Sequence, residues 1–474
     1  MTRILLINPR FQKIIYSPLP DRIEQARGRY PPLGIAYLAG MLLKHKYNIQ
    51  IFDSDVEKRW ISGLISKLES FKPNIVGITT NSFTFLQAKI VAQIVRKILP
   101  EAVILIGGPH VSIYPTEILS NNEFDIAVIG EGEYTIIELV DKLETNSDVD
   151  SVKGIAYRKN GKIYKTDSRP LIENLDELPF PARSLLPNKK YFYPLGKRKP
   201  FTTVITSRGC PFNCIFCLRA SGLHFGRKYR IRSPSNIIEE LEELINQFNI
   251  KEIFFYDDVF TLNQSRIKKL CKEIINHKLD ISWNCRTRVD TISLKLLRIM
   301  KKAGCEKIHY GIESGDARIL MNLKKNITIS QIRNAFSWTK LNEIETFAYI
   351  MLGAPGETSI SIRRTMQLIK DINPTYIGFF ITTLFPGTDL YSYALRHGLL
   401  SHDVWKDFTL GKIKRQPLLY LEETFNEKEL REILNRCYKE YYFRPSYIWN
   451  KLKTLRSFSQ IYANLSGFSL LLTL

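Results

Sequence analysis

Residues Phe201–Cys217 read FTTVITSRGCPFNCIFC. The first six are a β-branched, apolar run of the kind that forms a strand. Three cysteines, Cys210, Cys214 and Cys217, follow at the spacing C-x3-C-x2-C, in the loop at that strand's carboxyl end. Thiolates in a short loop bind zinc or an iron–sulfur cluster, and both usually take four ligands from the protein. Here there are three. Either a distant residue such as His224 or Cys285 completes a zinc site, or a cluster keeps one iron open.

Working outward, the same strand-then-helix alternation recurs: EIFFYDD, ISWNCRTR, KIHYGIES, TFAYIMLGAPGET and YIGFFITTLFPGTDL each carry polar residues after an apolar strand. With FTTVIT that makes six strands. The count predicts a partial (β/α)6 TIM-type barrel over residues 201–395, with its chemistry at the carboxyl ends of the strands. Upstream, RILLINP, IQIFDSD, IVGITT, AVILIGGPH and DIAVIGEGE are unbroken apolar runs separated by amphipathic stretches. Strands buried on both faces read this way, so residues 1–145 predict a Rossmann-like, doubly wound parallel sheet. Residues 146–200 read as a linker, with a hairpin turning at Asn160-Gly161 and prolines thereafter. Residues 396–474 read as a basic, helical carboxyl-terminal region. The fold class is α/β throughout.

The 474 residues carry 68 Lys and Arg against 47 Asp and Glu, a formal charge of +21. This favours an anionic partner or surface. From Lys189 to Arg232 every charged side chain is positive, which would suit an acidic electron carrier or an anionic substrate. No recognised nucleic-acid-binding motif accompanies that run, so nucleic acid is not the expected partner. Seven cysteines, thinly spread and odd in number, suit a reducing compartment. The short apolar start does not resemble a signal peptide, and no run approaches the roughly 20 apolar residues that span a bilayer. The expected location is cytoplasmic. The tail, with Arg444, Lys451, Lys453 and Arg456 beside Ile448, Leu452 and Leu455, has the pattern of a helix able to lie on an anionic membrane.

The cysteine loop and the strand ends behind it resemble the radical S-adenosylmethionine (SAM) superfamily. The resemblance implies that Cys210, Cys214 and Cys217 hold a [4Fe-4S] cluster whose fourth iron is chelated by SAM, with Phe216 packing on the adenine. It further implies that Asp257 and Asp258 face the methionyl ammonium, Arg286 and Arg288 the SAM carboxylate, and Glu313 the ribose. Gly353 and Pro355 would let the backbone approach the adenosine. Methylthiotransferases that act on transfer RNA carry three further cluster cysteines upstream, and here Cys210 is the first cysteine in the chain.

With an amino-terminal Rossmann-like domain ahead of such a barrel, the chain resembles the cobalamin-binding class of that superfamily. The matching stretches are YPPLGIAYLAGML, GITTNSF, LIGGPH and GEGE. They imply cofactor contacts at Thr79, Thr80, Gly107, Gly108, His110, Gly130 and Glu131. The D-x-H-x-x-G pattern that gives cobalt a histidine in other cobalamin proteins is absent, because His110 lies in G-G-P-H.

The function implied is a cobalamin-dependent radical SAM enzyme that methylates an unactivated carbon, served by a flavodoxin- or ferredoxin-type electron carrier and acting on a small molecule, lipid or tetrapyrrole. Oxidative cyclisation is the alternative within the family. A zinc-stabilised, non-catalytic nucleic-acid-binding protein is the alternative outside it.

Overall fold

The first strand, β1 (Arg3–Asn8), explains why the amino-terminal half carries helices on both faces. Ile4 and Leu6 point to one side of it and Leu5 and Ile7 to the other, as strand geometry requires, and none is more than 1% exposed. The first pair joins Ile35, Leu42 and Leu139 in one core, and the second joins Leu64, Leu68, Ala88 and Val91 in another. The structure is a computed structural model describing residues 2–11, 28–218, 222, 225–445 and 447–449.

After β1 come α1 (Leu33–Lys44), β2 (Asn48–Asp53), α2 (Trp60–Phe71), β3 (Ile75–Thr79), α3 (Phe85–Ile98), β4 (Val103–Gly107), the short α4 (Pro109–Ile113), β5 (Ile126–Val128), α5 (Glu133–Glu144), β6 (Ile155–Lys159) and β7 (Lys162–Lys165). The strands form one sheet in the order β2-β1-β3-β4-β5-β6-β7. The first five are parallel, while β6 runs antiparallel to β5 and β7 antiparallel to β6. Asn160 and Gly161 have φ of 50° and 73°, the positive pair that a tight hairpin turn demands. The hairpin that the sequence places in a linker is therefore hydrogen-bonded into the first sheet. The segment after it is pinned to both halves: Tyr191 donates to Asp53, and the buried Arg183 reaches Thr202 and Glu240.

A second sheet follows. Its elements are β8 (Phe201–Val204), β9 (Ser207–Arg208), β10 (Arg230–Ile231), α6 (Pro234–Phe248), β11 (Glu252–Phe255), α7 (Gln264–Asn276), β12 (Ser282–Thr287), α8 (Leu294–Lys302), β13 (Cys305–Glu313), α9 (Ala317–Asn322), α10 (Ile329–Leu341), β14 (Glu345–Leu352), α11 (Ser359–Ile372), β15 (Tyr376–Ile381), α12 (Asp389–Arg396), α13 (Val404–Thr409) and α14 (Glu427–Tyr442). Six strands pair in parallel in the order β8-β11-β12-β13-β14-β15, the partial barrel that the sequence predicts. Ser233, Asn263, Ser293, Thr328 and Thr358 each cap a following helix through the side chain, so those helices start sharply and leave the strand ends clear.

The carboxyl-terminal residues divide between the two halves. Helix α14 covers the edge strand β15: Tyr438 Oη accepts from the Phe379 amide at 3.1 Å, and Tyr442 Oη donates to the Ile377 carbonyl at 3.1 Å. Helix α13 instead inserts Trp405 and Phe408 into a core of the amino-terminal half. The stretch expected to lie on a membrane, at Lys451, Leu452, Lys453, Leu455 and Arg456, lies outside the described residues. Among the described residues, no helix is long and apolar enough to cross a membrane.

Candidate active site

The cysteine loop is closed at its base by a two-residue ladder in which Ser207 faces Ile231 and Arg208 faces Arg230. Gly209 makes the first turn with φ of 83°, and a Cβ there would sit 2.1 Å from the Lys228 carbonyl oxygen, so no other residue fits. Cys210 and Cys214 are buried, Cys217 is partly buried, and all three are free thiols. The Ile215 amide donates to the Leu323 carbonyl at the end of α9, and the Leu390 amide donates to the Ile215 carbonyl. These bonds fix the loop across the strand ends.

Burial pushes the Cys210 thiol up to about 11, and Asp258, Cys217 and Cys214 add negative charge to that effect. The three thiols and Asp258 thus share one electrostatic neighbourhood. Cations stand behind it. Arg288 Nη1 lies 3.7 Å from Cys214 Sγ, with the Arg288 guanidinium 3.7 Å from the centre of the Phe212 ring. The ammonium of Lys325 sits 5.9 Å from the centre of the Phe216 ring and pairs with Glu313 Oε1 at 2.8 Å. Thiolates backed by buried cations are a donor set that fits an iron–sulfur cluster. Among the described residues, no three His, Cys, Asp or Glu side chains close on one point as a single metal ion requires; His224, offered as a fourth zinc ligand, lies outside them.

Several strand-end residues expected at SAM have partners within the chain. Asp257 is 2% exposed and accepts from the Thr206 amide, Thr206 Oγ1 and Ser207 Oγ at 2.7–3.0 Å. It anchors the base of the cysteine loop, and Asp258 is the carboxylate of that pair beside the thiols. Gly353 has φ of 78°, and a Cβ there would meet Leu430 Cδ2 at 2.7 Å, so the packing of α14 demands this glycine whatever else lies near it. Its amide donates to Glu357, whose carboxyl burial pushes up to about 7. Glu313 ends β13 with φ of 68°, an unusual conformation for a non-glycine residue, with its carboxylate held by Lys325. The two arginines of NCRTR separate: Arg288 stands at the cysteines, whereas Arg286 turns into the barrel lumen, 4.1 Å from the centre of the Tyr256 ring.

A cavity of about 390 Å³ opens at the carboxyl edge of the first sheet, walled on the far side by Thr203, Ile205, Arg208 and Tyr256 of the barrel. Thr79, Gly107, Gly108, Gly130 and Glu131 line it as expected. Thr80 and His110 are not among its lining residues. Thr80 is buried, with its amide on the Gly107 carbonyl. His110 is wholly buried, hydrogen-bonded to Ser82 Oγ at 3.1 Å and Thr409 Oγ1 at 2.9 Å, and burial holds its pKa down to about 3. It is a neutral core histidine that receives α13. Gly34, within the YPPLG stretch, is a further glycine of the wall. A Cβ on Gly34 or on Gly130 would meet no atom within 4 Å, so the glycines leave room for a flat, bulky ligand such as a corrin ring.

Charge at this wall is internally matched. Arg208 pairs with Glu131 at 2.7 Å and Glu133 at 2.5 Å, and Arg230 pairs with Glu131 at 2.7 Å, all with side chains under 8% exposed. The one-sided basic run therefore looks different in three dimensions. Lys190, Lys197, Arg198, Lys228 and Arg232 also have carboxylate partners contributed by other segments. Arg219, of the same run, lies outside the described residues.

Comparison with known proteins agrees with this geometry. The radical SAM superfamily model matches residues 204–369, and the B12 binding domain model matches residues 21–140. An uncharacterized methyltransferase of Pyrococcus horikoshii is 36% identical over 91% of this chain and 92% of its own length. The anaerobic magnesium-protoporphyrin IX monomethyl ester cyclase of Rubrivivax gelatinosus is 31% identical over 82% of this chain and 69% of its own. Among solved structures, the cobalamin-dependent SAM radical enzyme OxsB, with aqua-cobalamin and SAM bound, superposes with a TM-score of 0.73 at 18% identity, over 99% of this chain and 71% of that one. That last likeness concerns the fold.

Proposed function

The chain belongs to the radical SAM superfamily, in the class that carries an amino-terminal B12-binding domain, and from that premise we propose that it transfers a methyl group from cobalamin to an unactivated carbon of a small molecule. When bound, the cluster with SAM supplies reductive one-electron cleavage and the corrinoid supplies a transferable methyl group. The chain's own residues hold, orient and shield. Cys210, Cys214 and Cys217 are the cluster ligands in this reading, and Arg288 and Lys325 offset the charge of the thiolates. Asp258 faces the SAM ammonium, and the glycine-lined cavity takes the corrin. This family assignment displaces the zinc-stabilised, nucleic-acid-binding alternative.

One observation carries the reading: the cavity and the cysteine loop share a wall. Arg208 lies two residues before Cys210 and Tyr256 two before Asp258, and both line the cavity. A substrate between them would touch both cofactors and be screened from water. Similarity to the Rubrivivax gelatinosus cyclase supports oxidative cyclisation as a second reading. A radical SAM enzyme also needs a reductant, and we propose an acidic carrier of flavodoxin or ferredoxin type, because Arg227 and Lys228 on the cysteine loop are exposed.

The test is anaerobic reconstitution with iron, sulfide and hydroxocobalamin, followed by SAM labelled in its methyl group. Four irons, one corrinoid and SAM cleavage are expected, with label appearing in a product from cell extract. A Cys214→Ala variant should lose iron and cleavage while keeping the corrinoid. SAM cleavage that persists in that variant would overturn the reading.

A further inference from the structure

Arg286 is an anomaly within the barrel. It projects from β12 into the lumen, where every other charged group near it has a named counterpart. Lys307 pairs with Glu345 at 3.4 Å and donates to the Leu195 carbonyl at 2.7 Å. Glu252 accepts from Asn284 and from the amides of Lys197 and Arg198. For Arg286, no carboxylate lies in salt-bridge range among the described residues. The Tyr256 ring stacks at 4.1 Å and the Phe254 ring lies at 5.2 Å, while Nε is buried with no hydrogen-bond partner. A desolvated guanidinium without an anion costs several kcal/mol, so a chain that keeps one has a use for its charge.

The surroundings show which edge is available. His309 is tied at both ring nitrogens, to Tyr193 Oη at 2.9 Å and Tyr349 Oη at 3.0 Å, and stacks on Phe347 at 5.0 Å. Burial first, then the charges of Arg286 and Lys307, hold that histidine neutral, so it neither repels nor replaces an anion. The phenols of Tyr256 and Tyr349 also engage the guanidinium, and the donors left over, the unpartnered Nε among them, can grip a carboxylate or phosphate edge-on. Tyr30 and Tyr256, whose phenols lie close enough to perturb Arg286, both line the cavity assigned to the corrinoid.

We propose that Arg286 anchors an anionic group of the substrate, a carboxylate or a phosphate monoester, inside the barrel lumen against the corrinoid cavity. This rests on the reading of the chain as a cobalamin-dependent radical SAM enzyme and names the class of its substrate. It also removes Arg286 from the SAM carboxylate, where sequence resemblance alone had put it, and leaves Arg288 at the cysteine loop.

The test uses the full chain reconstituted with cluster and hydroxocobalamin, with benzoate and inorganic phosphate as separate probes. Binding is read from the rise in melting temperature with probe concentration. One probe should stabilise the parent protein, benzoate pointing to a carboxylate substrate and phosphate to a phosphorylated one. Arg286→Leu should weaken that probe at least tenfold, and Arg286→Gln supplies the same comparison if the leucine variant does not fold. The proposal is overturned if neither probe stabilises the parent protein, or if the variants respond as the parent does. It is equally overturned if the defect in the variants is loss of SAM itself in equilibrium dialysis. Methyl transfer is scored separately by label, so a failed methyltransferase reading shows as unlabelled product while the anion site still responds.

Discussion

Gly34 offers a sharp test of the corrinoid cavity, because there the requirements of fold and of ligand point in opposite directions. It sits in the first turn of α1, exposed, and a Cβ built on it meets nothing within 4 Å. Replacing Gly by Leu in a helix gains up to about 1 kcal/mol in propensity, and roughly half of that so near the helix start. The cofactor-free protein should therefore be slightly more stable. A leucine side chain adds four carbons, each near the ~30 Å³ that a water molecule occupies, so it takes on the order of 100 Å³. That is about a quarter of the 390 Å³ cavity. Overfilling a fitted space costs about 1–3 kcal/mol, which is about fivefold to somewhat over 100-fold in affinity. The assay is anaerobic equilibrium dialysis of hydroxocobalamin, with iron content and melting temperature measured on the same samples. The expected Gly34→Leu protein melts no lower than the parent, holds its iron and binds corrinoid at least about fivefold more weakly. Parent-like corrinoid affinity, or parallel loss of iron and corrinoid, would refute the placement of the cofactor.

Three further outcomes follow from buried charge. Glu131→Gln leaves Arg230 without its carboxylate and Arg208 with only Glu133, so it should lower unfolding free energy by about 3–5 kcal/mol in denaturant titration. His110 has a folded pKa near 3, below its unfolded value, so its contribution is full above pH 6.5 and falls as the pH drops towards 3. His110→Gln should remove about 1.4 kcal/mol per pH unit from the slope of stability across that window, measured by urea unfolding, and should leave corrinoid binding intact. Glu357 is the reverse case: its pKa is raised to about 7, so its contribution is present below pH 4.5 and lost as the pH rises through 7. Glu357→Gln should thus raise the melting temperature at pH 8 and change it little at pH 5.

Elements defined by local pattern were legible in the sequence: six barrel strands, five parallel strands ahead of them, and a thiol loop at a strand end. The period of apolar residues fixes those before any tertiary contact forms. What a polar side chain does was less legible, because its partner often comes from far along the chain. His110 sits in a stretch that resembles a cofactor motif, yet Thr409, almost three hundred residues later, holds its Nε2. Asp257 and Asp258 are adjacent in the loop that follows β11, yet one turns towards Thr206 and the other towards the thiols. Gly353 reads as a cofactor glycine, and the need to pack Leu430 of α14 is a second demand on it that the sequence does not show. Asn160-Gly161 marks a hairpin in the sequence, but the hairpin's membership of the first sheet depends on pairing with β5.

The same distinction changes what the net charge of +21 says about function. Read along the sequence, the basic run from Lys189 to Arg232 looks like a surface awaiting an anion. In the folded chain Arg208 and Arg230 are buried against Glu131 and Glu133, and Arg232 against Glu240. These cations join the segments around the two cofactor sites, and a partner that needed them would have to break buried ion pairs to reach them. Exposed Lys228 is also paired, to Glu173, but a surface pair at that exposure holds by under about 1 kcal/mol and yields readily to a docking protein. Arg286 has neither kind of carboxylate among the described residues, and its neighbours Tyr30 and Tyr256 line the cavity beside the barrel. The count of charges thus says little about function, and a lumen guanidinium without an anion among the described residues says more.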